Sequence, residues 1–166
     1  MAHSDVLPPL SLRSVVTREA SVSIEPVEDS RGLLENAVSP AERSLAVAAP
    51  ELVRAYLKRE LTNARLYRSV EFDQGGQETI RLSSTLLKFE GWETESLPIP
   101  RGTAVVTLQV QVVRSSDGVI LLDKRIPHRI TSTLIEDGPL ELVCEALARV
   151  VEELIADLDH LDLASS

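Results

Sequence analysis

The side chains able to do chemistry are few and scattered. Histidine occurs only at positions 3, 128 and 160, and cysteine only at 144. A transition-metal site draws several nitrogen or sulfur ligands from short spacings such as His-x-x-x-His or paired cysteines. Neither pattern occurs, and a lone cysteine closes no disulfide within the chain. Cys144 sits inside an apolar helical pattern, where a free thiol behaves as a small buried hydrophobe. Asp29 and Arg31 stand two apart beside Gly32, and the reading is a turn in which the Asp accepts from nearby backbone amides. His128 lies between Arg125, three residues away, and Arg129, and is expected on a solvent-facing strand surface. The acidic run near the C-terminus lacks the spaced Asp, Asn and Gly of a calcium loop. No phosphate-cradling glycine loop and no Gly-x-Ser-x-Gly elbow occurs. The expectation is a protein with no catalytic residues, no metal and no cofactor, hence not an enzyme.

One segment offers recognition instead. Phe89-Glu-Gly-Trp-Glu-Thr-Glu-Ser-Leu-Pro-Ile-Pro100 holds the only Trp of the chain. Read as a proline-stiffened loop between strands, it nominates Trp92, Leu97, Ile99 and Phe89 as partner-binding residues, because Trp is favoured at the centre of interfaces. The competing reading folds Trp92 back onto an open sheet edge.

The elements that would carry this segment are legible from periodicity. In Thr103–Arg114, Val106, Leu108, Val110 and Val112 alternate with Thr107, Gln109 and Gln111, the period of a half-buried strand. Asp117-Gly118 supplies a hairpin turn, and Ile120, Leu122, Ile126 and Ile130 share a face of the return strand. Further strands are expected around Val22 and Ile24, through Val70 and Phe72, and from Glu78 to Glu90. In the last of these Ile80, Leu82 and Leu86 share one face with Ser84, Leu87 and Phe89 fall on the other, and Gly91 ends the strand. Residues 33–49 read as a loop. A helix is expected from Pro50, placed in its first turn, to Asn63. A second helix follows Gly138-Pro139, with Asp137 or Gly138 as its cap and Leu140, Val143, Leu147, Val150, Leu154 and Leu158 as its stripe. The first helix is basic and the second acidic, which suggests neighbours on one sheet face with complementary flanks. The fold class is therefore α/β (α+β): a mainly antiparallel sheet with a long central hairpin and two main helices on one face. Residues 1–14 form an arm and 15–163 a single domain.

Composition bounds the function. A chain of 166 residues is long enough for one full core, and at 3% aromatic that core is built from aliphatic side chains. The formal net charge of −9 argues against nucleic acid and against an anionic membrane surface as partners. No run approaches the ~20 apolar residues of a membrane helix.

Several local patterns in order resemble a known family. These are Val22-x-Ile24-x-Pro-Val-x-Asp29-x-Arg31, Leu57-x-x-Glu-Leu61-x-x-Ala-x-Leu-Tyr67-Arg-Ser-Val70, Ile80-Arg-Leu-Ser-Ser-Thr-Leu-Leu-Lys-Phe89, and the hairpin with Asp117-Gly118-Val119-Ile120. Together they are similar to the auxiliary lipoproteins of ABC-type intermembrane transport systems. More broadly, they resemble the N-terminal domain type of curli-secretion lipoproteins. The resemblance implies a non-enzymatic accessory or adaptor protein in the periplasm, at the inner face of the outer membrane, contacting a protein of a transport or secretion assembly. It also implies an N-terminal lipid on a cysteine. That cysteine and its leader are not in this sequence, and the expectation is that they preceded Met1; for a chain without them the alternative location is cytoplasmic. The alternative function is a lipid or hydrophobic-ligand carrier with a cleft between helices and sheet.

Overall fold

A computed structural model describes residue 10 and residues 18–31, 40–73, 79–94, 101–133 and 139–161. The elements are β1 (Arg18–Ile24), β2 (Glu28–Asp29), α1 (Pro40–Ala64), β3 (Tyr67–Phe72), β4 (Thr79–Thr94), β5 (Arg101–Arg114), β6 (Ile120–Thr133) and α2 (Pro139–Asp159). The fold is α+β. The sheet order is β3-β1-β4-β5-β6, with the short β2 pairing beside β4. Its two longest pairings, β4 with β5 and β5 with β6, are antiparallel, whereas β1 runs parallel to β3 and β4. The hairpin thus fills one side of the sheet, and β6 is its edge.

Alternation explains the layering. The even residues of β5 (Ala104, Val106, Leu108, Val110 and Val112) are buried together with Val22, Ile24, Ile80, Leu82 and Ile126. This face receives both helices. From α2 come Leu142, Val143, Leu147, Val150, Val151, Leu154, Ile155 and Leu158; from α1 come Leu52, Val53, Tyr56, Leu57 and Leu61. The α2 stripe packs on β4, β5 and β6, and α1 packs on β1, β3 and β4 while also touching α2. The two helices are neighbours on one face, as their opposite charge suggests, but Arg54 and Lys58 turn elsewhere. Arg54 pairs with Asp73 at 2.9 Å and Lys58 with Glu71 at 3.4 Å, both at the far end of β3. Arg59 bonds Glu60 of its own helix. On the other flank Lys124 of β6 bridges Glu153 and Asp157 of α2, each at 2.8 Å.

The helix expected from Pro50 starts ten residues earlier, and Pro50 lies inside it. The segment read as a loop is rich in Ala, the strongest helix former, and Ser39-Pro40-Ala41-Glu42 matches the capping-box sequence that opens helices. An internal Pro costs one hydrogen bond, and the buried Ala49, Leu52 and Val53 on either side of it hold the helix against the core. The helix ends at Arg65, whose φ of 54° is left-handed.

The strand expected to stop at Gly91 continues to Thr94, and it contains a register shift. Leu86 pairs with Leu108 and Lys88 with Thr107, so Leu87 is an inserted residue, a β-bulge. The bulge reverses which side each later residue faces. Phe89, expected on the polar face, instead pairs with Val106 and is 7% exposed in the core.

The turn chemistry is as the residues suggest. Gly118 has φ +72°, and Asp117 accepts from the backbone N–H of Val119 and from Arg114. At the other end, Asp29 accepts from the backbone N–H of Arg31 at 3.1 Å and pairs with its guanidinium. This is the turn role expected of it, and Arg31 holds the Asp29 carboxyl below its ordinary range. Arg18 locks the two ends of the fold together. Its Nη2 donates to the carbonyls of Asp159 and Leu161, capping the negative end of α2.

Candidate functional site

The helices cover one side of the sheet and, among the described residues, leave the other without a helical layer. This open face is built from the odd residues of β5, the odd residues of β6 from Asp123 on and, because of the bulge, from Arg81, Ser83 and Thr85 and then Lys88, Glu90 and Trp92 of β4. Ile120, expected on the face of Leu122, Ile126 and Ile130, is turned to this side by a second register shift that pairs it with Val113, and it is exposed. Its middle row is Thr103, Val105, Thr107, Gln109, Gln111 and Val113. Thr103 and Thr107 are buried between their cross-strand neighbours. Cross-strand hydrogen bonds tie this floor together: Gln109 donates to Asp123 at 2.7 Å, and Thr103 meets Thr131 at 3.4 Å. Ser69 donates to Ser21 at 2.8 Å across β3 and β1.

Cations stand around that floor. Arg125 is in register with Gln109, Arg129 with Val105, Lys88 with Thr107, Arg81 with Val113 and Arg101 with Thr133. All of them are exposed. On the helix side and in the turns the cations are bound by the molecule's own carboxylates: Arg31, Arg54, Lys58, Arg59, Arg114, Lys124 and Arg149 each form an ion pair. Among the described residues, Arg81, Lys88, Arg101 and Arg125 form none. Arg129 instead lies over the Trp92 ring, 5.8 Å from its centroid. Exposed carboxylates on this face are Glu19, Glu28, in register with Thr85, Glu90 and Asp123, the last engaged by Gln109.

The nominated recognition residues are thus separated by the structure. Trp92 is in a strand rather than a loop, 39% exposed on the open face and paired with Thr103. Phe89 is in the core on the opposite face. Leu97 and Ile99 lie outside the described residues. The residues missed are the basic ones beside Trp92. Their signal was present in the strand alternation, since Arg125 and Arg129 share a side of β6, but the bulge that brings Lys88 and Trp92 to the same side leaves no mark in composition.

The other chemistry-bearing groups have structural roles. His128, expected on a solvent face, is half-buried toward α2, and its Nε2 lies 2.5 Å from a carboxylate oxygen of Glu153. It shares parity with Ile126, so it faces the helices. Lys124, then burial opposing it, then His128 act on Glu153, and the net effect holds its carboxyl below the ordinary value of 4.5. Burial pushes the Cys144 thiol up, so it is a poor nucleophile. Burial likewise pushes Tyr67 up to about 12. His160 bonds the carbonyl of Ala156 at the end of α2. Among the described residues no group of three or more His, Cys, Asp or Glu is placed to hold a metal ion. A cavity of about 420 Å3 lies along the outer flank of α2, lined by Leu10, Glu141, Cys144, Glu145, Ala148, Arg149 and Glu152. It is not between helices and sheet, where the carrier reading requires a cleft and where the aliphatic core packs. No helix among the described residues is long and apolar enough to cross a membrane.

No family model matches the chain. No curated protein matches it either. Solved structures do. A protein from Xanthomonas campestris assigned to the DUF330 family superposes with a TM-score of 0.60 at 12% identity, covering 90% of each chain. A PelC dodecamer from Paraburkholderia phytofirmans gives 0.55 at 13% identity, covering 90% of this chain and 93% of that one. The hypothetical protein CT253 from Chlamydia trachomatis gives 0.51 at 12%, covering 89% and 100%. At these identities the likeness is one of fold, and this chain has the fold of those proteins over nearly its whole length.

Proposed function

We propose that this chain is a non-enzymatic accessory or adaptor domain of a cell-envelope transport or secretion system, acting by binding a protein partner. In this reading it is held by a lipid anchor on the periplasmic side of the outer membrane. The observation that carries the reading is the open sheet face, on which Arg81, Lys88, Arg101 and Arg125 form no ion pair among the described residues, in a chain of net charge −9. Arg and Trp are the residue types that dominate binding energy at protein interfaces. The ordered motifs that resemble the auxiliary lipoproteins of ABC-type intermembrane transport support the setting. The PelC structure of the same fold is a dodecamer, which supports reading the fold as one that works within assemblies.

The test is affinity capture of the chain from detergent-solubilised envelopes of its source organism, with mass spectrometry of bound proteins and lipids. Enrichment of one transport or secretion component is the expected result. Recovery of lipid alone, or fractionation of the native protein with the cytosol, overturns the reading.

A further inference from the structure

The whole-chain charge conceals a segregation. Acids concentrate on α2, where Glu141, Glu145 and Asp159 are exposed. The unpaired cations concentrate on the opposite surface. An anionic bilayer or nucleic acid is disfavoured by the chain as a whole, yet one face of it attracts carboxylates.

We propose that the open sheet face centred on Thr107 and bounded by Arg81, Lys88, Trp92, Arg125 and Arg129 is the docking surface for an acidic protein segment. The inference rests on the adaptor reading and specifies its partner's chemistry. Three features of the face select that occupant. First, its cations are mainly arginine, whose planar fork pairs bidentately with carboxylates, whereas a point-charge ammonium does not. Second, the cations are spread rather than clustered. Arg125 and Arg129 are four residues apart on one strand, about 13 Å at the ~3.3 Å rise per residue, with Lys88 in register between them across Thr107. This spacing suits an extended segment bearing several acids. Third, Glu28, Glu90 and Asp123 share the face. A uniformly negative lipid surface would be repelled by all three, but a protein segment can present a donor or a small side chain opposite each. The hydroxyl and amide floor supplies hydrogen bonds, and Trp92 supplies an apolar anchor with its ring already steadied by Arg129. Complementary charge of this kind gives specificity and fast association.

The experiment uses the whole chain with labelled poly-L-glutamate as probe, at low and high salt. Vesicles of phosphatidylcholine with phosphatidylglycerol serve as the competing surface. The native chain is expected to bind poly-L-glutamate in a salt-sensitive way. The variant carrying Arg81→Glu, Arg125→Glu and Arg129→Glu is expected to bind at least about tenfold more weakly, the scale on which lost charge pairs act, while Arg149→Glu on α2 leaves binding unchanged. Circular dichroism checks folding, and the corresponding Arg→Gln variant gives the same answer if charge reversal unfolds the sheet. No binding of the peptide, equal binding by the variant, or binding to vesicles but not to the peptide overturns the proposal. Salt-sensitive self-association lost in the variant, without peptide binding, makes the occupant a second copy and also overturns it. Envelope capture with the same variant separates the two readings. A partner still captured by the variant removes this surface but leaves the adaptor reading standing, whereas no partner captured by the native chain removes the adaptor role itself.

Discussion

Gly118 shows how a single position is held by backbone conformation alone. Its φ of +72° is left-handed, and a Cβ there meets nothing within 4 Å. Space is free, so the conformation is the constraint. Gly118→Ala should destabilise the chain by about 1 kcal/mol, and a β-branched replacement by more, read as a lower urea midpoint with unchanged slope. Ser84 presents the opposite case. It faces the core beside Leu82 and Leu86, is 3% exposed, and its hydroxyl has no hydrogen-bond partner among the described residues. Ser84→Ala removes a desolvated donor and acceptor at little loss of packing. It should leave stability unchanged or raise it by up to about 1 kcal/mol, measured by the same unfolding curve.

At the scale of elements, the bulge at Leu87 decides what the sheet shows to each side. A strand slipped by one residue turns every side chain to the opposite face. Deleting Leu87 removes the inserted residue and leaves Leu86 opposite Leu108 and Lys88 opposite Thr107, so Phe89 should stay in the core and Trp92 on the open face. The expected outcome is an unshifted emission of the single Trp and a modest loss of stability, on the order of 1 kcal/mol. A blue-shifted emission would mean that β4 slips in register and turns Trp92 toward the helical layer. The pairing of β6 with α2 is electrostatic at its rim. Glu153 is held below its ordinary 4.5, mainly by Lys124. A carboxylate with a depressed folded pKa adds stability that is fully present above 4.5 and is lost as pH falls through the folded value. The native chain should lose stability on acidification below about pH 4.5, and Lys124→Met should flatten that part of the pH–stability curve. Equal slopes in the two proteins would assign the acid sensitivity to other carboxylates.

The molecule as a whole is two layers of different surface chemistry: a helical side acidic along α2, and a sheet side on which Arg81, Arg101 and Arg125 form no ion pair among the described residues. Net charge of −9 describes neither. Long-range repulsion follows the sum, while docking follows the local pattern over about one Debye length, ~8 Å at physiological ionic strength. Raising salt should thus weaken association at the sheet face, yet leave folding nearly untouched, since the core is aliphatic. Parallel salt titrations of poly-L-glutamate binding and of thermal unfolding check this. A melting temperature that falls together with binding would instead place the cations in the stability of the fold.

Sequence alone determined the parts governed by local periodicity and turn chemistry. The alternation in β5 and in β6 from Leu122 on, the Asp117-Gly118 hairpin, the Asp29 turn and the apolar stripe of α2 each follow from residues close in the chain, and with them the α+β class and the two helices on one face; Ile120 departs from its expected face because the pairing with β5 shifts beside it. The start of α1 was also written locally, in Ser39-Pro40-Ala41-Glu42, but Pro50 offered a second beginning, and the fold carries the helix through it with Ala49 buried beside Leu52 and Val53. Tertiary structure alone decided the site. Whether Phe89 or Trp92 faces water depends on one inserted residue whose position is set by pairing with β5, and Lys88 is drawn beside Arg125 and Arg129 only by that pairing. For Arg54, Lys58 and Lys124, pairing depends on carboxylates distant in the chain that the fold brings within 4 Å. His128 illustrates both points: its spacing placed it among exposed arginines, and the strand's even parity turned it to Glu153 on α2.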